Sequence, residues 1–160
     1  MSRSLVLDNS VLSAFVAGGW FDDLGFWTTE YELLTTTRIW KREFRPHHGR
    51  SKPDWLVVET VDTSELTGRS VSLGEADWSL VRLAETAEEP ILVSNDRKLI
   101  EESERRGIER IWGTKFLIQT FEACGIEEDA FRNGLPEYTN DVTLPDAVVS
   151  ELRATEKPEQ

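Results

Sequence analysis

Two short runs of consecutive apolar residues, each followed by an acid, most strongly constrain the fold of this chain. The run LVLD ends at Asp8, and the run ILVSND ends at Asp96. Uninterrupted apolar runs of this length are typical of strands buried on both faces, which occur in parallel sheets covered by helices. Helical periodicity follows each run, at residues 9–17 and 96–108. The alternation predicts an α/β fold in which a central, mostly parallel sheet lies between layers of helices.

The other predicted elements continue this alternation. Strands are expected in DWLVVETV and IERIWGT. Helices are expected over residues 71–89, in GTKFLIQTFEACG, and in TTTRIWKREF, where a threonine of residues 35–37 can cap the helix. The first helix is expected to end at Gly18 and Gly19, and an irregular stretch with Trp20 and Trp27 follows it.

The length of 160 residues and the hydrophobic content of 39% fit one domain with its own core. We assign residues 1–134 to this domain and residues 135–160 to a C-terminal extension, with a helix in LPDAVVSELRAT before a polar end. The single cysteine, Cys124, cannot form an internal disulfide, and we expect it to be a small buried hydrophobe. We find no secretory signal and no apolar run long enough for a membrane span, so the chain is predicted to be cytoplasmic.

Two further acids are predicted to point into the protein. Asp77 lies four residues after Leu73, on the apolar stripe of its helix. Glu43 lies four residues after Ile39 and shares the inward face of its short helix. Buried carboxylates are costly and repel one another, so such a group of acids requires a compensating positive charge.

A hard divalent cation is the compensating charge that these acids favour. Mg²⁺ and Mn²⁺ prefer oxygen ligands, and a metal-bound water suits phosphodiester hydrolysis. The sequence has no cluster of Cys and His for zinc, and His47 and His48 are expected to be a solvated pair. Taken alone, an acid in the position of Asp8 is more often the N-cap of the following helix than a metal ligand. The candidate metal ligands and catalytic residues are Asp8, Glu43, Asp77 and Asp96.

The charge of the chain is strongly negative but uneven. A formal net charge of -12 argues against a nucleic-acid partner, although molar salt, with a Debye length of ~3 Å, would make an acidic surface tolerable. Residues 33–53 nevertheless form a basic run with Glu43 as their one acid. This run is either a solvated face or a track for RNA phosphates. The candidate RNA-binding residues within it are Arg38, Lys41, Arg42 and Arg45.

These motifs together resemble the PIN-domain family, the metal-dependent ribonucleases that include the VapC-type toxins. The family's signatures are a strand ending in Asp with Ser or Thr two residues on, a Glu in a short helix, an acid in a leucine- and alanine-rich helix, and a T/S-x-D turn. Here they are, in the same order, LVLDNS with Asp8 and Ser10, TTTRIWKREF with Glu43, LGEADWSLVRLA with Asp77, and LVSNDRKL with Ser94 and Asp96. IWGTKFLI is also similar to the family's strand, Gly-Thr and helix, so the resemblance spans roughly residues 4–120.

The resemblance implies a PIN-like three-layer sandwich and an endoribonuclease that hydrolyses single-stranded RNA with Mg²⁺ or Mn²⁺. The four acids would hold the metal, and Ser10 and Ser94 would orient these ligands. It also implies a small antitoxin protein as a partner and a homodimer. The lack of a long apolar run separately predicts no membrane association.

Three alternatives were weighed against this function. A haloacid-dehalogenase-like phosphatase requires a second Asp where Ser10 stands, and a nucleotide-binding Rossmann domain requires a glycine-rich turn that DNSVLS lacks. A PIN-like RNA- or protein-binding module with little or no catalysis stays open. Within SLGEAD, Glu75 is interpreted as the partner of Ser72 in a capping box, which leaves Asp77 as the metal ligand.

Overall fold

A computed structural model describes residues 3–69 and 73–141 of the chain. The strands are β1 (Arg3–Leu7), β2 (Tyr31–Thr36), β3 (Leu56–Glu59), β4 (Pro90–Ser94) and β5 (Glu109–Trp112). The α-helices are α1 (Asn9–Gly18), α2 (Arg45–His48), α3 (Glu75–Thr86), α4 (Arg97–Arg105), α5 (Gly113–Glu122) and α6 (Glu128–Asp141). The described residues also form 3-10 helices at Phe21–Thr29 and Thr63–Glu65 and a π-helix at Ile39–Phe44.

The five strands form one parallel sheet in the order β3-β2-β1-β4-β5, flanked by helices. The predicted α/β fold class is therefore confirmed. From β1 the chain proceeds to β2 and β3 on one side, and then crosses to β4 and β5 on the other side. This reversal creates a topological switch point between β1 and β4, and ligands of open parallel sheets bind outside the carboxyl ends of the strands at such a point.

The two apolar runs form the neighbouring central strands, as predicted. Their residues are buried because helices cover the sheet. Leu7 lies opposite Val93 in the register, and the Asp8 N–H donates to the Val93 carbonyl at 3.1 Å. This register brings the polar residues that follow the two strands to the same point on the sheet edge.

The stretch predicted to be irregular contains a 3-10 helix and the strand β2, so that prediction is wrong. β2 has only two apolar residues at its centre, followed by Thr35 and Thr36, and both threonines are buried. Their hydroxyls find partners inside the protein, since Thr35 donates to the Leu7 carbonyl at 2.9 Å and Thr36 bonds to Ser79 at 2.7 Å. Thr35 and Thr36, predicted as possible caps of the following helix, are therefore residues of an interior strand.

The helices occupy the predicted regions with shifted ends. The segment from TTTRIWKREF is wound as a π-helix, and the Thr36 hydroxyl accepts a hydrogen bond from the Ile39 N–H at 3.2 Å, so a threonine does cap it. α1 ends as predicted, with Gly19 in the left-handed conformation that glycine adopts freely. None of the helices in the two described ranges is both long and apolar enough to cross a membrane.

Helix α6 runs across position 134, the predicted end of the domain. Leu135 and Tyr138, beyond this position, are buried in the same core, and the Tyr138 hydroxyl bonds to Thr114 at 2.9 Å. The helix expected in LPDAVVSELRAT lies outside the described residues.

Two predictions about single side chains are wrong. Cys124 is exposed rather than buried, with a φ of 68° in the turn after α5. His47 is exposed as expected, but His48 is partly buried, with its Nε2 atom 3.0 Å from the Ser13 hydroxyl and its ring 4.7 Å from that of Phe44. Burial lowers the pKa of His48, and the charge of the neighbouring His47 lowers it further.

Candidate functional site

Asp8 lies at the switch point, directly after β1, and only 4% of it is exposed. It is the N-cap of α1, with its Oδ1 atom accepting from the Asn9 N–H at 2.7 Å. Its Oδ2 atom accepts from the hydroxyls of Ser10 at 2.8 Å and Ser94 at 2.7 Å. The cap and site interpretations of Asp8 are therefore compatible, because the cap uses one carboxylate oxygen and the serines hold the other.

The two serines connect Asp8 to the turn that follows β4. The Ser10 hydroxyl accepts from the Asn95 N–H at 2.9 Å, and the Ser94 hydroxyl accepts from the Asp96 N–H at 2.9 Å. Each hydroxyl has a single proton, and since its oxygen accepts a backbone N–H, that proton is directed at Asp8. The arrangement matches an ionised Asp8 and fixes its position relative to Asp96.

Asp96 follows β4 at the same edge and is the N-cap of α4. Its Oδ1 atom accepts from the Lys98 N–H at 2.9 Å, which orients the carboxylate at the start of the helix. Asp8 and Asp96 are therefore both N-caps of helices that follow adjacent parallel strands.

Asp77 comes from the first turn of α3 and is partly buried. Burial raises its pKa to about 7, and the negative charges of Asp8, Asp96 and Glu43 add to the effect. An acid with this pKa is partly protonated at neutral pH, unless a positive charge compensates its neighbours.

Glu43 completes the group from the π-helix, where it is partly buried between the apolar and the basic faces. Burial raises its pKa, with smaller contributions from Asp8 and Asp96. Burial also raises the pKa of Asp8, although the bonds from Ser94, Ser10 and Asn9 oppose this. The structure thus brings the four candidate acids into one region in which their charges repel one another.

The chemistry of this group suits a hard divalent cation, since four carboxylates supply oxygen ligands and an excess of negative charge. The geometry is not that of an assembled metal centre. Within residues 3–69 and 73–141, no group of three or more His, Cys, Asp or Glu side chains is arranged to hold a metal ion. Uncompensated repulsion opposes a closer approach of the carboxylates, so binding a cation would require these side chains to converge.

Without metal, the free energy of unfolding is expected to fall as the pH rises from about 4 to 8. Asp77 has a pKa of about 7 in the folded chain against an ordinary value of ~3.9, so between these values the folded state binds more protons. Its contribution is complete below the lower value and is lost as the pH rises through the higher one. Because the side chain is partly exposed, solvent screening reduces the loss to about 1–2 kcal/mol.

Urea denaturation at pH 5 and pH 8 in the presence of a chelator checks this expectation. The Asp77→Asn variant should show a smaller difference between the two pH values, since residue 77 cannot titrate there, and Glu43 and Asp8, whose pKa values are also raised, account for the rest. An equal pH dependence in the variant and the original chain would show that Asp77 is not the titrating group.

Glu75, the other acid of SLGEAD, has a different role from the one predicted. The N-cap of α3 is Gly74, so the capping box is wrong, and Ser72 lies outside the described residues. The Glu75 carboxylate is exposed, accepts from the Thr63 hydroxyl at 3.1 Å and pairs with Arg69. Hydrogen bonds from Arg69 and Thr63 lower its pKa, so Glu75 is held away from the carboxylate group by partners of its own.

The basic run lies on the outer face of the helical segment that carries Glu43. Lys41, Arg42 and Arg45 are exposed and Arg38 is partly buried, whereas Ile39, Trp40 and Phe44 cover the core on the opposite face. No salt bridge among the described residues includes any of these four cations. They are therefore available to an anionic partner.

Asn9 is a polar residue of this region that sequence reasoning missed. Its Oδ1 atom is buried and has no hydrogen-bond partner in the part of the chain that the structure describes. A buried acceptor without a donor is costly, and this one lies directly beside Asp8. The only sequence signal was its position next to Asp8 at the end of a buried strand.

No protein-family model matches the chain, and no curated protein or solved structure matches it significantly. The resemblance to the PIN-domain family therefore stays a prediction that rests on the motifs and on the site described above.

Proposed function

We propose that this protein is a PIN-like, Mg²⁺- or Mn²⁺-dependent endoribonuclease that hydrolyses phosphodiester bonds of single-stranded RNA. The observation that carries the proposal is the meeting of four carboxylates from four separate elements at the switch point of a parallel sheet. Burial, and to a smaller extent the charges of the three other acids, raise the pKa of Asp77 to about 7. Such a group of acids does not stabilise the fold, because each carboxylate raises the free-energy cost of burying the others. A functional site is the usual reason for this arrangement.

In this function Asp8, Glu43, Asp77 and Asp96 would hold the cation. A bound divalent ion supplies a water of lowered pKa and stabilises the charge on the attacking and leaving oxygens. Ser10 and Ser94 favour the ionised form of Asp8 and orient it through the two hydroxyl bonds to its Oδ2 atom. No side chain acts as a covalent nucleophile.

RNA is the proposed substrate because the unpaired basic run adjoins the acids. Arg38, Lys41, Arg42 and Arg45 would contact phosphates, and the strong net negative charge confines such contacts to this face. The proposal extends, on the resemblance alone, to a cytoplasmic location, a small antitoxin partner and a homodimer.

The purified protein is expected to cut single-stranded RNA with Mn²⁺ or Mg²⁺ and to stop when a chelator is added. The Asp8→Asn variant should be inactive, since it replaces an ionised oxygen ligand by an amide. Asp22→Asn, on an exposed acid of the first 3-10 helix, is the matched control and should cut normally. Equal cleavage by the Asp8→Asn protein would identify the activity as a contaminating nuclease.

One observation favours the second candidate, a PIN-like module that binds RNA or a protein with little or no catalysis. The described residues contain no assembled group of three metal-ligating side chains. If neither metal supports cleavage of any RNA tested while RNA still binds, the binding module is the better description.

A further inference from the structure

A cavity of about 270 Å³ lies where β2 and β3 end, beside the π-helix. Three of the four basic residues, Arg38, Lys41 and Arg42, line it together with four hydroxyl side chains. None of the described residues in its lining is an Asp or a Glu. The volume is slightly below the range of ~300–1,000 Å³ that is typical of sites for drug-sized ligands, so the cavity suits a smaller group.

The hydroxyls of the cavity form two pairs whose protons can be assigned. Ser79 donates to the Ala76 carbonyl at 2.6 Å, so the 2.7 Å bond between Thr36 and Ser79 uses the Thr36 proton. Thr37 and Thr60 lie 2.7 Å apart, and only one of their two protons is used between them. One hydroxyl proton therefore remains for a ligand.

The cavity thus offers three cationic side chains and a hydroxyl proton. No carboxylate of the described residues lines it, and Glu75 interacts with the charge of Arg38 from outside the lining. Donors of this kind recognise an anion that has several acceptor oxygens, and arginine is suited to phosphate because its planar fork can donate two parallel bonds. A phosphate group is the ligand of this size and charge that the cavity fits best.

The chain connects this cavity to the carboxylate group in two places. Arg42 directly precedes Glu43 in the π-helix, and Ser79 lies two residues after Asp77 in α3. The carboxylates repel an RNA phosphate, so a strand that crosses them needs a cationic anchor alongside. We propose that this cavity binds a backbone phosphate of single-stranded RNA next to the bond that is cut, an inference that rests on the function proposed above.

The test measures binding of a fluorescent RNA pentanucleotide with a 5′-hydroxyl end, in the presence of a chelator, so that no cleavage is needed. The Arg38→Gln/Arg42→Gln variant should bind at least about 10-fold more weakly at low salt. Its slope of log K against log salt should be shallower by ~0.7 for each lost phosphate contact. The control Arg110→Gln/Arg132→Gln removes the same charge from β5 and α6 and should bind as the original chain does.

A second variant, Thr37→Val, distinguishes specific binding in the cavity from non-specific electrostatic attraction of RNA. It keeps every charge and the branched shape but removes a hydroxyl, so the cavity predicts a loss of a few-fold in affinity, and general attraction predicts none. Equal weakening by the two double variants, or no effect of Thr37→Val in a protein that melts normally, would overturn the proposal.

Two further arms identify the phosphate and keep this proposal separable from nuclease activity. A pentanucleotide with a 5′-phosphate should bind with the same dependence on the cavity residues. If binding depends on the cavity only when the 5′-phosphate is present, the ligand is a terminal phosphate and not a backbone phosphate. If the protein binds inorganic phosphate but not RNA, a backbone phosphate is likewise ruled out as the ligand. If Asp8→Asn loses cleavage while the Arg38→Gln/Arg42→Gln variant binds normally, only the cavity proposal fails. If RNA binds through the cavity and is never cut, only the nuclease proposal fails.

Discussion

Replacing Asp77 by Asn is expected to lower metal-dependent RNA cleavage at least ~100-fold while leaving the protein as stable as before or more so. Loss of a residue that merely orients a metal ligand costs about 10–100-fold, and loss of a ligand itself should cost more. Stability should not suffer, because the carboxylate is partly buried among three other acids and its pKa is raised to about 7. Cleavage rates and urea denaturation at pH 8 measure the two effects.

Glu75→Gln is the matched control for this prediction, since it removes an acid two residues away on the same helix. Gln can still accept the hydrogen bond from Thr63, and only the exposed pair with Arg69 is weakened. This variant should cleave RNA and bind Mn²⁺ almost normally. Loss of Mn²⁺ binding in Glu75→Gln but not in Asp77→Asn would show that Glu75 is the ligand.

The second large effect is expected from Gly134→Ala, which should destabilise the protein by about 3 kcal/mol or prevent its folding. A Cβ atom at this position would lie 2.0 Å from the Gly18 carbonyl oxygen and 2.5 Å from the ring of Trp20. Alanine is otherwise better than glycine inside a helix, so the loss would come from the contact between α1 and α6 alone. Trp20 cannot yield easily, because its Nε1–H donates to the Ala130 carbonyl at 2.9 Å and its ring stacks on Phe131.

Asn133→Ala provides the control, because Asn133 is the exposed neighbour of Gly134 in the same helix. It should leave the stability unchanged or slightly higher, and chemical denaturation of both variants decides the comparison. A Gly134→Ala protein as stable as the original would mean that α6 does not pack closely on α1.

The predictable features of the fold were those that depend on short stretches of sequence. The runs before Asp8 and Asp96 indicated buried strands because every residue in them is apolar, and Gly18 and Gly19 marked the end of α1. β2 was missed for the converse reason. Its threonines are acceptable inside the protein only because the Leu7 carbonyl and the Ser79 hydroxyl, both distant in sequence, satisfy them.

The candidate site divides in the same way. Periodicity indicated that Asp77 points inward and that Glu43 shares a face with Ile39, since both depend on helical spacing. The choice between Asp77 and Glu75 was made partly on a capping box that the structure replaces with Gly74, and the partners that hold Glu75 lie on another segment. Whether a helix begins one turn earlier or later is decided by what it packs against, which spacing alone does not contain.

By itself, the sequence determined the alternation of strands and helices, the parallel sheet and the acids at the ends of two strands, because these follow from local patterns of polarity. Only the tertiary structure decided that β1 and β4 are neighbours, that two serines hold Asp8, and that the π-helix and the ends of β2 and β3 enclose a basic cavity. The physical reason is that strand order, burial and the interaction of charges depend on residues far apart in the chain. The pKa of Asp77 is about 7 for the same reason, because its burial and the neighbouring acids come from distant parts of the chain. No local pattern could predict this value.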